Sequence, residues 1–317
     1  MDRLRRTSVA VEESLTGSFR RKVSVLQELA PSVKHGFVGI FLSDFVGQFG
    51  LSMPEFSLGA LRGFTRFGSA EFSIRPFIVQ DLEKTLATML RWTADADEHV
   101  RRLSSEGCRP RLPWGQRLHA LVRDPAPLVP ILHALKTDPS LYVRKSVANN
   151  LNDIARDHPD WMLAKLSGWD ISHPHTSWIA KRAARTLIKK GHAPALTLFG
   201  FGRKAAVSTT LRATPARLNP GDTLSITAAI TSLSKHPQRL AVDYVIHYVK
   251  AGGGTSPKVF KWRETEIPAG GSLTLTKRQT IRDFTTRRHF PGRHVVELQI
   301  NGQRVAQTAF WLEKSER

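Results

Sequence analysis

The side chains of this 317-residue sequence best placed to do chemistry are a few carboxylates set among basic residues. Glu106 follows a Val100-Arg101-Arg102 run and precedes Arg109 and Arg111, while Asp153 and Asp157 follow Arg144 and Lys145. Cationic side chains at this density suit a polyanion such as a phosphodiester backbone. A carboxylate held among them has two readings. It is an ordinary ion-pair partner near a helix end, or it is the group that meets a developing positive charge and helps water attack.

Other chemistries find little support. His173 and His175 lie two apart beside Pro174, with no Cys or Glu at a ligand spacing, so no metal site is expected. Phosphate loops of the Walker A or GxGxxG kind are missing and the lone Cys108 carries no nucleophile signature, so no cofactor is expected either.

The elements that must position these groups are helical repeats. Val143, Val147 and Leu151 recur at i, i+4 and i+8, an apolar stripe with the basic residues on another face. Val100-Arg101-Arg102, Val143-Arg144-Lys145 and Ala180-Lys181-Arg182 share one phase, with Glu106, Asn149 and Thr186 in a common column a turn later. Recurrence about every 40 residues is the period of HEAT-type helix pairs, which bury their apolar faces only by stacking into a curved solenoid. The column Arg101, Arg144, Lys181 reads either as a ligand contact or as a structural Arg paired with a turn carboxylate such as Asp95 or Asp138. The next column, Arg102, Lys145 and Arg182, with Arg185, Lys189 and Lys190, predicts phosphate contacts. Asn149, Asn150 and Asn152 can donate to phosphate or sugar, but residues this close on a helix cannot all face one ligand. The stretch from Cys108 to Leu118, with two arginines, two prolines and Trp114, predicts a rigid, positively charged loop that meets a partner. Trp178 is a second aromatic beside a basic run. Asp138 is placed to start the central helix, and Glu71 with Arg75 reads as a surface ion pair.

From Ala205 onward the pattern changes to about seven short alternating runs separated by Pro, Gly or Asn, the spacing of an immunoglobulin-like β-sandwich, with Trp262 and Trp311 as expected core residues. The predicted architecture is therefore multidomain, α then β: an α-solenoid of HEAT-like repeats over 1–200, a linker at 201–206, and an immunoglobulin-like sandwich over 207–317. The net charge of +20 is spread over both parts. Basic hairpin tips at 250–258 and 282–293, the latter with Arg287 and Arg288, are expected to reach nucleic acid. No apolar run approaches the ~18 residues of a spanning helix and no secretory signal is evident, so a membrane partner is not expected and a reducing cytoplasm is.

The strings at 64–78 (FTRFGSAEFSIRPFI), 99–114 (HVRRLSSEGCRPRLPW), 142–159 (YVRKSVANNLNDIARDHP) and 178–191 (WIAKRAARTLIKKG) resemble the DNA alkylation repair proteins of the HEAT-like repeat superfamily, specifically the AlkC branch, some members of which carry an immunoglobulin-like domain after the solenoid. The resemblance implies a monofunctional DNA glycosylase that releases N3-alkylated bases, 3-methyladenine and 3-methylcytosine, from duplex DNA without flipping the base. The partner would be damaged double-stranded DNA, engaged by a monomer at the nucleoid. An N3-alkylated base is already cationic and a good leaving group, which leaves the enzyme to stabilise charge on the deoxyribose and position water. Within SEGCRPRLPW the acidic residue is Glu106, the preferred carboxylate; Asp153 ranks second and Asp157 third, with Trp114 and Trp178 as aromatic faces for a sugar or cationic base. The alternative is a non-catalytic DNA-binding or protein-interaction HEAT scaffold.

Overall fold

The computed structural model describes residues 2–33, 36–202, 204–283 and 288–313. It divides into two compact units, Met1–Ala184 and Arg185–Arg317. Unit 1 is helical: α1 (Asp2–Ser14), α2 (Phe19–Leu29), α3 (Ile40–Phe49), α4 (Pro54–Phe64), α5 (Arg75–Gln80), α6 (Leu82–Trp92), α7 (Glu98–Glu106), α8 (His119–Arg123), α9 (Val129–Ala134), α10 (Leu141–Asp157), α11 (Pro159–Ser167) and α12 (Pro174–Ala183).

The starts of these helices are written locally. Asp81 and Asp97 accept from the backbone N–H of Lys84 and His99, satisfying donors that the first turn leaves open, and prolines sit in the first turn of α4, α5, α11 and α12. The cap of α10 is Ser140, not Asp138 as expected. Asp138 instead closes the preceding turn, accepting the Ser140 N–H at 2.8 Å. Helices α7, α10 and α12 pack side by side, burying Val100, Leu103, Val143, Val147, Leu151, Ile179 and Ala183 between them and the outer helices.

The stacking is tied by a repeated arginine motif. Arg101 Nη1 donates to the carbonyls of Asp95 and Ala96, and Arg144 Nη1 donates to those of Asp138 and Pro139, the same offsets one repeat later. Arg101 also reaches across to the carboxylate of Asp138 at 2.8 and 3.3 Å, as Arg62 Nε reaches Asp95 at 2.7 Å. Of the two readings of this column, the structural one describes Arg101 and Arg144.

Unit 2 opens with a helical hairpin, α13 (Arg185–Lys189) and α14 (Ala193–Leu198), ahead of the expected boundary, and continues into β1 (Val207–Thr214), β2 (Arg217–Leu218), β3 (Thr223–Ser232), β4 (Gln238–Val249), β5 (Thr255–Ile267), β6 (Ser272–Thr280), β7 (Gly292–Ile300) and β8 (Gln303–Leu312). The strands form two sheets, ordered β1-β3-β6 and β2-β8-β7-β4-β5. Alternate residues meet in the core, among them Leu224, Ile226, Tyr244, Ile246, Val296 and Phe310, with Trp262 packed against them. Trp311 was expected in this core but is 42% exposed, under the Arg217 guanidinium at 6.0 Å, because its neighbours Phe310 and Leu312 take the inward positions of β8.

The helical hairpin belongs with the sheets for a steric reason. Asn301 and Gly302, both at positive φ, make the two-residue β7–β8 turn, and a Cβ on Gly302 would fall 2.0 Å from Gly191 Cα. Only glycine permits that approach. Lys189 contributes its carbonyl to Gln299 Nε2 at 2.8 Å, and the same amide donates to Asp243 at 3.2 Å beside the bulge in β4. Asp243 is buried, and burial pushes its carboxyl up to about 6 against the pull of Lys189. A proton is thus held more tightly in the folded state than at the unfolded 3.8, so this group's stabilising contribution is complete below pH 4 and disappears as pH rises through 6. Asp243→Asn should remove up to roughly 3 kcal/mol of pH-dependent loss: urea titrations at pH 4.5 and 8 should show the wild type losing stability relative to the variant at the higher pH.

Candidate active site

The site grows from a loop and the arginine beneath it. α7 ends at Glu106, and the chain then turns through residues 107–118 before α8. Arg75, at the start of α5, is fully buried below that loop: Nη1 donates to the carbonyls of Gly107 and Arg109 at 2.8 and 2.9 Å, and Nε to that of Gln116 at 2.6 Å. Burial lowers its pKa to about 10, so it stays charged at neutral pH. Carbonyls from both limbs of the loop are gathered on one guanidinium. Gly115 leaves room for it, since a Cβ there would lie 3.3 Å from Arg75 Nε. At the tip, Trp114 has φ +63 and is 88% exposed, a bulky residue held in the left-handed region with its indole in solvent. That conformation costs about 1–3 kcal/mol, which the stapled loop must offset.

Above Arg75 the charges alternate. Glu71 Oε2 accepts from Arg102 Nη2 at 2.8 Å; Arg102 Nη2 stands 3.7 Å from Glu106 Oε1; Glu106 Oε1 accepts from Arg109 Nη1 at 2.7 Å; and Arg109 grips both oxygens of Asp153 at 2.9 and 3.1 Å. Three carboxylates and two guanidiniums alternate in a largely buried row, and the buried Arg75 guanidinium beneath it, coupled to Glu71 and Asp153, balances the remaining charge. Ser69 Oγ donates to Glu71 and accepts from Arg102, and the Arg102 guanidinium lies over the Tyr142 ring at 4.6 Å. Burial raises the Asp153 pKa despite the guanidinium of Arg109. Arg111 and Asp157 form a separate, more exposed bidentate pair at 2.6 and 2.8 Å that holds the Asp157 carboxyl below the usual range.

The three candidate carboxylates therefore differ in what their oxygens are doing. Both oxygens of Asp153 and both of Asp157 are engaged by arginine. Glu106 is only 5% exposed, yet among the described residues no side chain or backbone group donates to its Oε2. Next to it Asn150, fully buried, donates from Nδ2 to the Ser105 carbonyl at 2.8 Å, with Oδ1 unpartnered, so its amide braces the last turn of α7. Cys108 is buried and its thiol is pushed up to about 12 by burial, which removes it as a nucleophile.

Placement of the remaining residues is uneven. Arg102 and Arg109 point inward to carboxylates, Arg111 to Asp157, and Arg144 to loop carbonyls. Lys145 is exposed on the wall of α10; Asn149 is half-buried. Trp178 has the Arg182 guanidinium over its ring at 5.3 Å. Arg185, Lys189 and Lys190 fall in unit 2, where Lys189 Nζ donates to the Val259 carbonyl at 3.4 Å and Lys190 is exposed. Arg288 is exposed, 4.0 Å from Asp283, and Arg287 lies outside the described residues. Sequence reasoning missed Glu71, Ser69 and Tyr142 as members of the charged row, and Arg75 as the buried staple; the expected Glu71–Arg75 pair is replaced by Glu71–Arg102. No group of His, Cys, Asp and Glu able to hold a metal occurs among the described residues.

Both parts of the chain are similar to known proteins. Residues 65–188 match the family described as DNA alkylation repair enzyme, and residues 207–314 match the C-terminal Ig-like domain described for the uncharacterised protein YhaZ. The Bacillus subtilis protein YhaZ is 43% identical over 303 residues, which cover 95% of this chain and 84% of that one. The structure is similar to that of the Pseudomonas fluorescens alkylpurine DNA glycosylase AlkC bound to DNA containing an abasic-site analogue, at TM-score 0.94 and 46% identity over 98% of this chain and 87% of the other.

If Arg75 staples the loop, Arg75→Met should free it. Limited trypsin digestion of the folded variant is expected to cut at Arg111 and Arg117 at least 10-fold faster than in wild type, as the local opening free energy falls; equal rates would show that the loop stands without it.

Proposed function

The chain belongs to the DNA alkylation repair enzymes, in their AlkC branch with an immunoglobulin-like C-terminal domain, and on that premise we propose that it is a monofunctional DNA glycosylase that hydrolyses the N-glycosidic bond of N3-alkylated bases, 3-methyladenine and 3-methylcytosine, in duplex DNA. Its partner is damaged double-stranded DNA, and it acts without a cofactor.

The observation that supports this most directly is the unoccupied oxygen of Glu106. In the proposed reaction the C1′–N bond breaks with both electrons leaving on the base. Because an N3-alkylated base is already cationic, it departs neutral and needs no proton from the enzyme. Positive charge grows instead on the deoxyribose. A carboxylate about 4 Å from that charge contributes on the order of 4 kcal/mol at an effective dielectric near 20, and the burial of the Glu106 side chain favours so low a value. The same oxygen can orient a water for attack at C1′ and accept its proton as the new C–O bond forms. Asp153, with both oxygens on Arg109, serves in this scheme by orienting Arg109, which in turn fixes the other oxygen of Glu106. Trp114, rigid and exposed, is assigned to the face of the sugar or the cationic base, where cation–π attraction adds about 0.5 to 2 kcal/mol; Trp178 has a lesser claim. Lys145, Arg182, Arg185, Lys190 and Asn149 are assigned to phosphates, and Arg287 and Arg288 of the β6–β7 connection to a DNA groove.

Glu106→Gln keeps the shape and hydrogen-bonding of the side chain but removes its charge. Single-turnover release of 3-methyladenine from methylated duplex is expected to slow about 100- to 1,000-fold, with DNA affinity unchanged or raised. Folded wild type that binds DNA and releases no base would leave only a non-catalytic scaffold. A further measurement addresses the grip: Lys145→Ala should reduce the slope of log affinity against log salt by about 1, and an unchanged slope would remove Lys145 from the phosphate contacts.

A further inference from the structure

We propose that Glu71 is a positioning residue for the glycosylase reaction, holding Arg102 off Glu106 so that the Glu106 carboxylate stays under-neutralised. The inference rests on the role given to Glu106 above and goes beyond it.

Arg102 and Glu106 are separated by one turn of α7, the spacing at which an arginine and a glutamate close an ion pair when nothing competes. Here the pair stays long, without a hydrogen bond. Arg102 Nη2 stops 3.7 Å from Glu106 Oε1 and is 2.8 Å from Glu71 Oε2. Every other fixing of the guanidinium also comes from outside α7: Ser69 Oγ receives Nη1 at 3.0 Å and itself donates to Glu71 at 2.8 Å, while the Tyr142 ring of α10 lies beneath at 4.6 Å. The turn at 69–71 and the ring from the next repeat thus form a clamp for one guanidinium. Glu106 is left with a single short contact, from Arg109, whose other nitrogens are committed to Asp153. With Arg102 held at 3.7 Å and only Arg109 at hydrogen-bond distance, the carboxylate is less fully neutralised than with two short contacts, and the group that gains from this in the reaction is a cationic sugar. Were Glu71 uncharged, Arg102 would relax onto Glu106 and compete with that sugar for the same carboxylate. Glu71 therefore acts through Arg102, with no contact to substrate required.

Ordinary structural support makes a different prediction about pairs of substitutions, and this separates the two. In the full-length protein, Glu71→Gln is expected to slow single-turnover base release at least about 10-fold while the Kd for methylated duplex moves by less than about 2-fold. Adding Arg102→Gln should then restore the rate to within about 3-fold of wild type, a coupling of opposite sign to the single effect. Ser69→Ala, which removes the hydroxyl that accepts from Arg102 Nη1 and donates to Glu71, loosens the clamp while keeping both charges. It should slow release about 2- to 3-fold and provides the same reading should Glu71→Gln not fold. Glu71→Gln releasing base at the wild-type rate, or a double variant no faster than Glu71→Gln, overturns the proposal. Glu106→Gln assayed alongside identifies which idea has failed: if it is inactive while Glu71→Gln is normal, only the role of Glu71 falls, whereas an active Glu106→Gln or an inactive wild type overturns both.

Discussion

The site depends on keeping five ionised groups together in a place with little water. Each buried ion carries a desolvation penalty of several kcal/mol, so the row from Glu71 to Asp153 is stable only because every guanidinium is shared between two carboxylates. Such a row ends with an odd charge when both of its termini are acids. The carboxylate left over by the alternation is answered from below by the buried Arg75 guanidinium, and the whole cluster sits in a chain whose net charge is +20.

The repeat architecture explains why the chemistry resides in one place. Within unit 1, α7 carries Glu106 and α10 carries Asn149 at the position the repeat makes equivalent, and only the first is charged; Thr186, the third member of the expected column, falls in α13 of unit 2 because α12 ends at Ala183. Meanwhile Arg62, Arg101 and Arg144 hold turn carbonyls and carboxylates and so fix the stacking that brings α7 and α10 close enough for Arg109 to bridge them. The geometry of the charged row and that of the repeat are therefore coupled through residues outside the row.

What was legible in the sequence follows physical range. The 3.6-residue stripe of Val143, Val147 and Leu151 and the alternation of the strands are local, and both were read correctly; Glu106 was placed beside the basic loop, but the contact of Arg109 with Asp153 across 44 residues was not foreseen. Partners across helices were not legible. Glu71 and Arg75 suggested a pair only if both lay on a helix, but residues 71–74 form turns and α5 begins at Arg75, so the four-residue spacing carries no helical meaning there. Nothing in the residue types near Arg75 signals that three backbone carbonyls 32 to 41 positions away will surround it. Trp311 was misplaced because its size outweighed the alternation that sets Phe310 and Leu312 inward. The hairpin 185–198 reads as more of the helical repeat from its composition alone, and its attachment to the strands arises from one glycine meeting another.

Arg75 recognises its loop by main-chain oxygens alone. An anchor of that kind is indifferent to what the loop displays: the exposed side chains of Pro113 and Trp114 are open to mutation without loosening the attachment, so long as buried Leu112 and the spacing of the gripped oxygens are kept. The tip can accordingly drift in evolution, or be redesigned to favour a different lesion, on a footing that selection need not rebuild each time.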